Sequence, residues 1–232
     1  MNHFCRSQKV LTEICRVLHE INAGKMKTIA VVSQKGGAGK TTIAVNLAIA
    51  AERRGLHCAI VDLDPQSSAR SWHDIRRKES PVVISSHSSR LPHILQTARE
   101  NGAGLVILDT APHSETVALS AARAADLVLI PCRPSVFDLR AIATSVDLAS
   151  LAQTRSVVVL NGVPSRGVLG AEATTAITGY GVDMAPDTLG QRAAFVHSLT
   201  VGLSVLEYEP ASKAAEEILA VFRWLCSRLG IN

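Results

Sequence analysis

Lys35-Gly36-Gly37-Ala38-Gly39-Lys40-Thr41-Thr42 follows the apolar run Thr28-Ile29-Ala30-Val31-Val32-Ser33 and precedes a helix-forming stretch from Ile43 to Arg54. The apolar run reads as a buried β-strand. A strand, a glycine-rich turn and a helix N-terminus together make a phosphate cradle, because consecutive backbone N–H groups point inward and the helix dipole favours an anion. In such a loop Lys40 reaches the terminal phosphates and the Thr41 hydroxyl ligates Mg²⁺, with Gly36, Gly37, Ala38, Gly39 and Thr42 completing the phosphate-binding turn. The usual pattern has glycine six residues before that lysine, where this chain has Gln34, and a second lysine, Lys35, stands directly before the glycine pair.

Two further segments suit a phosphate-binding sheet. His57-Cys58-Ala59-Ile60-Val61-Asp62-Leu63-Asp64-Pro65-Gln66 reads as a second buried strand ending in two acids. Asp62 and Asp64 are two apart, so on an extended chain they project to the same side. Both could instead cap a helix starting near Ser67. Gly104-Leu105-Val106-Ile107-Leu108-Asp109 is a strand that ends in an acid able to hold Mg²⁺ through water.

The 232 residues suit one α/β domain, with residues 1–25 a helical extension before a domain at 26–232. Apolar residues make up 47% but aromatics only 3%, so the core is built from Val, Ile, Leu and Ala, as in a parallel sheet covered by helices. Candidate strands are 28–33, 57–62, 81–85, 104–109, 126–131, 155–161 and 182–186. Candidate helices are 41–54, 67–78, 90–101, 115–124, 138–152, 168–179 and 211–229. This alternation predicts a doubly wound, mainly parallel sheet with helices on both faces. No uncharged apolar run has the roughly 18 residues of a membrane span, and the N-terminus lacks a continuous apolar signal region. The five cysteines form no CxxC pair and read as reduced thiols of a cytoplasmic protein. The histidines show no metal spacing.

The loop with its extra Lys35, the DLDPQ segment and the LVILD strand, in this order, resemble the ParA/MinD family of ATPases with a deviant Walker A box. From Met26 onward the chain is most similar to the short partition ATPases of the ParA/ParF type. The resemblance implies ATP hydrolysis by a homodimer that sandwiches two nucleotides. Lys35 then reaches into the partner's site, Asp64 positions the attacking water, and Asp62 lies near the metal shell, so Lys35, Lys40 and Asp64 form the catalytic set. It also implies non-specific DNA binding in the ATP state, and slow hydrolysis stimulated by a centromere-binding adaptor of the ParB/ParG kind. Ala111 departs slightly from the family's usual residue after the third segment.

Other assignments leave alternatives open. Asn161 would meet the adenine edge, or be a turn residue. Arg192, of a Gln191-Arg192 pair found in ParF-type relatives, would touch DNA with Lys213, Arg223 and Arg228, or each could be a solvated surface charge. The net charge of +4 is a modest signal for nucleic acid. Half of it lies in residues 1–25, where four basic residues face two acidic ones. There Val10, Leu11, Ile14, Cys15, Val17, Leu18 and Ile21 recur at helical spacing, and Gly24 could end the helix. The last helix has an apolar stripe with Arg223 and Arg228 beside it. Such a stripe packs on the sheet in partition ATPases and grips membranes in MinD-like relatives, which makes a membrane-cycling positioner one rival. A metabolic P-loop enzyme is the other.

Overall fold

A computed structural model describes residues 26–231; the helix expected within residues 1–25 lies outside the described residues. The described chain alternates strands and helices as β1 (Lys27–Val31), α1 (Lys40–Arg53), β2 (Cys58–Asp62), α2 (Ser68–Ile75), β3 (Val82–Ser85), α3 (Leu91–Glu100), β4 (Leu105–Asp109), α4 (Glu115–Ala124) and β5 (Leu127–Cys132). It continues through α5 (Val136–Leu151), β6 (Ser156–Val163), α6 (Leu169–Thr178), β7 (Asp183–Met184), β8 (Leu189–Gly190), α7 (Ala193–Thr200), α8 (Val205–Tyr208) and α9 (Lys213–Leu229).

All the strand pairs are parallel, in the order β3-β2-β4-β1-β5-β6-β7, with β8 also on β6. The reason lies in the sequence. Parallel strands are covered on both faces, so they are continuous apolar runs. Along β1 and one residue beyond it, Ile29 and Val31 enter one core while Ala30 and Val32 enter the other. The first core is closed by α1, α2, α7, α8 and α9, the second by α3, α4, α5 and α6. In β1–β4 pairing Val31 is opposite Asp109, and in β2–β4 pairing Asp62 is opposite Asp109. The register therefore brings the loop after β1 and the acids ending β2 and β4 to one edge. That edge, at the carboxyl ends of the strands, is where open α/β sheets bind ligands.

The doubly wound parallel sheet matches the expectation, with corrections at the margins. The strand expected at 182–186 covers only Asp183–Met184, and the helix expected at 67–78 stops at Ile75. Between β7 and α9 stand three elements that the pattern did not announce: β8, α7 and α8. They are two, eight and four residues long, too short for periodicity to register. The last helix is a core element: Ile218, Val221, Phe222 and Leu225 are buried against the sheet. Among the described residues no helix is long and apolar enough to cross a membrane. Cys58, Cys132 and Cys226 are free and buried.

Candidate nucleotide site

The loop after β1 is shaped by two glycines in the left-handed region, Gly37 at φ 74° and Gly39 at φ 95°. Gly39 has a second constraint. A Cβ there would lie 2.1 Å from Asn161 Nδ2, which donates to the Ala38 carbonyl at 2.8 Å. Asn161, near the end of β6, thus props the loop from below. Helix α1 begins at Lys40 with no side-chain cap and no acid in its first turn. Its orphan amides and dipole leave the cradle ready for an anion.

Lys40 is buried and its ammonium donates to two carbonyls of its own loop, Ser33 at 3.2 Å and Lys35 at 3.4 Å. Burial lowers its pKa, while the charges of Asp109 and Asp64 push the other way. Thr41 Oγ1 donates to Asp109 Oδ2 at 2.6 Å. Asp109 is wholly buried and its Oδ1 has no hydrogen-bond partner. Burial pushes this carboxyl up to about 7, the Thr41 bond and Lys40 pull it down, and the charges of Asp62 and Asp64 add to the rise. A buried, orphaned carboxylate oxygen requires an explanation. An acid with a spare oxygen beside a threonine hydroxyl is a hard-oxygen set that fits Mg²⁺ held through water. Phosphates with Mg²⁺ therefore fit the residues present.

Asp62 sits one strand over. Its Oδ1 accepts the Asp64 N–H at 3.1 Å and its Oδ2 accepts the Arg70 N–H at 3.0 Å. It thus holds the chain between β2 and α2 in the manner of a cap. Burial raises its pKa against these amide bonds. Asp64 is half-buried, accepts the Gln66 N–H at 2.9 Å, and faces the cleft. The cleft, of about 670 Å³, is lined by Gly37, Gly39, Lys40, Thr41 and Thr42, and across from them by Asp64, Pro112 and Arg133. Two of the described non-glycine residues with positive φ, Ser67 at 50° and His113 at 54°, stand at the far ends of the loops carrying Asp64 and Pro112. Strained backbone of this kind gathers at binding sites and switch segments.

Lys35 and Gly36 are exposed on the outer side of the loop. The Lys35 ammonium lies 6.0 Å from the centre of the Phe137 ring at the start of α5. Phe137 and its neighbour Val136 are 72% and 62% exposed. The distant basic residues divide. Arg192 is committed to Glu217, with Nε at 3.0 Å from Oε2 and Nη2 at 2.5 Å from Oε1, so its charge is already matched within the fold. Arg228 lies over the Trp224 ring at 5.1 Å and 3.5 Å from Asp183. Lys213 and Arg223 are exposed.

Several contributors were not singled out by sequence. Arg133 enters the cleft from the loop after β5, and Trp72, Ile75 and Thr200 close its other side. Asn46 is a wholly buried amide: Nδ2 donates to Thr42 O at 2.8 Å, and Oδ1 accepts the Val205 N–H at 2.9 Å, tying α8 to the first turn of α1. A lone Asn inside the apolar stretch Ile43-Ala44-Val45-Asn46-Leu47-Ala48 was the signal available for it.

A buried ion pair braces α2 from behind. Arg76, just after α2, donates to both Glu207 oxygens at 2.9 Å and to the Gly202 carbonyl at 3.1 Å, and stacks on Trp72 at 5.0 Å. Burial alone would raise the Glu207 carboxyl, but its bonds from Arg76, Lys78 and Ser204 hold it down at about 2. A folded-state value below the ordinary 4.5 stabilises the fold above pH 4.5, and that stability is lost as the pH falls toward 2. The expected slope amounts to about 3 kcal/mol. Glu207→Gln removes the slope and strands a buried guanidinium, lowering stability by about 3 kcal/mol or more at neutral pH. Urea midpoints measured from pH 6 to pH 2 on both proteins check this; parallel curves would refute it.

A parallel sheet with a glycine loop, an invading lysine, a Thr–Asp pair and strand-end acids at its carboxyl edge defines a P-loop nucleotide-binding protein. Residues 29–220 match the family described as the CobQ/CobB/MinD/ParA nucleotide binding domain, and the chain belongs to it. A maintenance of carboxysome distribution protein A from Gloeobacter kilaueensis is 34% identical over 209 residues, covering 88% of this chain and 94% of its own. The chromosome-partitioning ATPase Soj of Thermus thermophilus is 30% identical over 161 residues, 57% of this chain and 64% of that one. The septum site-determining protein MinD of Pyrococcus horikoshii, solved with Mg-ADP, shares the fold at a TM-score of 0.73 over 89% of this chain and 98% of its own, with 18% identity. The chain is thus a ParA/MinD-type ATPase.

Proposed function

We propose that this ATPase closes as a homodimer over two ATP–Mg²⁺ and, so closed, binds DNA without sequence preference. The observation that carries the reading is Lys35 beside Phe137. A cation and two apolar side chains are presented together on the face that bears the loop. A second subunit laid on that face would bury the apolar pair and bring Lys35 to the partner's phosphates. Low dielectric would then strengthen its pull on charge developing there. Mg²⁺, when bound, would neutralise phosphate charge. Lys40 and the α1 amides hold the phosphates, Thr41 and Asp109 hold the metal shell with Asp62 behind them, and Asp64 aligns water.

Lys213 and Arg223 are exposed, as a DNA contact requires, and duplication in a dimer would enlarge a modest patch. Arg228 could add to it, whereas Arg192 contributes only by leaving Glu217. Hydrolysis is slow until an adaptor of the ParB/ParG kind stimulates it, and the protein works in the cytoplasm on the nucleoid. The cargo on this reading is plasmid or chromosomal DNA. A second reading, that the cargo is a protein assembly, is favoured by the likeness to a carboxysome distribution protein along nearly the whole of both chains. The buried stripe of α9 speaks against a MinD-like membrane grip. DNA retardation of the full chain with ATP and with ADP tests the proposal. Retention is expected with ATP alone, falling steeply with salt; equal retention in both nucleotides would refute it.

Asp64→Ala separates water alignment from binding. It should bind ATP within a few-fold of wild type, hydrolyse it about a hundredfold or more slower, and accumulate as dimer. Single-turnover hydrolysis and light scattering check this. Normal hydrolysis would remove Asp64 from its role.

A further inference from the structure

The cleft has two flanks, and the strand order sets the chemistry of each. The loop after β1 stands between β4 on one side and β5 on the other. Asp109 ends β4, Asp62 ends β2, and the Thr41 hydroxyl donates to Asp109, so the hard-oxygen set lies on the β4 side. On the β5 side the first residue after the strand is Arg133.

The backbone fixes where Arg133 starts. It precedes Pro134, which disfavours helical backbone at Arg133 and keeps it extended. Its carbonyl accepts the Ser135 N–H at 2.8 Å and the Cys132 thiol at 3.2 Å. From that anchored turn the side chain runs over Gly162, where a Cβ would lie 3.8 Å from both Cγ and Nε of Arg133. Gly162 follows Asn161, whose amide holds the Ala38 carbonyl. The arginine stem thus lies along the β6 residues that support the phosphate loop. The side chain lines the cleft with Gly37, Gly39 and Lys40. Arg133 is exposed and makes no ion pair among the described residues, whereas Arg76 and Arg192 are matched by Glu207 and Glu217.

A guanidinium with unspent donors at the rim of a phosphate cradle suits phosphate oxygens, which it can meet through two parallel N–H bonds. Lys40 acts differently, as a point charge inside the loop. We propose that Arg133 is a phosphate-binding residue of this cleft, holding the nucleotide's phosphate oxygens from the flank opposite Thr41 and Asp109. The proposal rests on the reading of the cleft as a nucleotide site.

The test titrates the full chain with a fluorescent ADP analogue, with Mg²⁺ and in EDTA, and then displaces the analogue with tripolyphosphate. ADP is the probe because the proposed dimer needs ATP. Arg133→Gln, which keeps the stem over Gly162 and removes the charge, should weaken ADP about tenfold, with or without Mg²⁺. Tripolyphosphate, which has no base, should weaken by the same factor. Arg133→Lys should recover part of the loss. Arg140→Ala, an exposed charge on α5, should change affinity by less than about twofold. Unchanged affinities in Arg133→Gln would overturn the proposal. So would a loss seen with ADP and not with tripolyphosphate, which would assign Arg133 to the base, or a loss confined to ATP-dependent dimerisation, which would assign it to the partner's site. A wild-type chain that binds neither ADP nor tripolyphosphate would overturn the nucleotide reading itself, and the proposal with it.

Discussion

Lys40→Ala should weaken ATP binding at least a hundredfold while the protein stays folded. The ammonium is buried and satisfied only by the carbonyls of Ser33 and Lys35, at 3.2 and 3.4 Å. Those bonds shape the loop, and the same charge is what phosphate oxygens would meet. Losing a buried, hydrogen-bonded charge from a binding site costs about 2–5 kcal/mol, so a factor of a hundred lies within the range and far larger losses are possible. The fold should lose less, because Gly39, Asn161 and the first turn of α1 still hold the loop. Titration of a fluorescent ATP analogue, alongside a thermal melt, separates the two effects. Near-normal affinity would sink the assignment of the site. A melt depressed by tens of degrees would show instead that Lys40 serves mainly the fold.

The parts of this molecule legible in sequence are those where one physical demand is written into consecutive residues. Parallel strands need unbroken apolar runs, and a phosphate loop needs glycine where a Cβ cannot fit. Thr28–Ser33 and the loop after it therefore gave the site its place, and strand-end acids gave Asp62, Asp64 and Asp109. What stayed hidden depends on contacts across long separations. Asn161 was read toward a base or a turn, yet it supports Ala38, more than a hundred residues away. Arg192 looked like a free cation, and the acid that neutralises it lies a helix away at Glu217. Arg76 and Glu207 drew no reading from the sequence, because only the fold brings the end of α2 to α8 and buries the two together. The elements β8, α7 and α8 carry too few residues for a period, and tertiary packing sets them.

Lys35→Ala should leave ATP binding by the single subunit within a few-fold of wild type, yet abolish ATP-dependent dimerisation and stimulated hydrolysis. Lys35 is exposed and makes no ion pair among the described residues; its charge faces outward beside the Phe137 ring. It cannot do the work of Lys40, whose ammonium lies inside the loop under the Lys35 carbonyl. An exposed lysine contributes little while water screens it. When a second subunit excludes that water, the same charge acts on the partner's phosphates at low dielectric, as an arginine finger does, and such groups are worth about 10³–10⁵ in rate. Lys35→Arg tests geometry against charge: it should dimerise better than the alanine variant. Phe137→Asp keeps Lys35 and should also block dimerisation, because the proposed interface would then bury a carboxylate. Light scattering in ATP and in ADP, with DNA retardation on the same samples, reads all three variants. DNA retention should fall in step with dimer content, since a dimer duplicates the basic surface that one subunit offers. If Lys35→Ala dimerises and retains DNA as wild type does, the two-subunit site is wrong for this chain, and Lys35 is only a surface charge beside an aromatic ring.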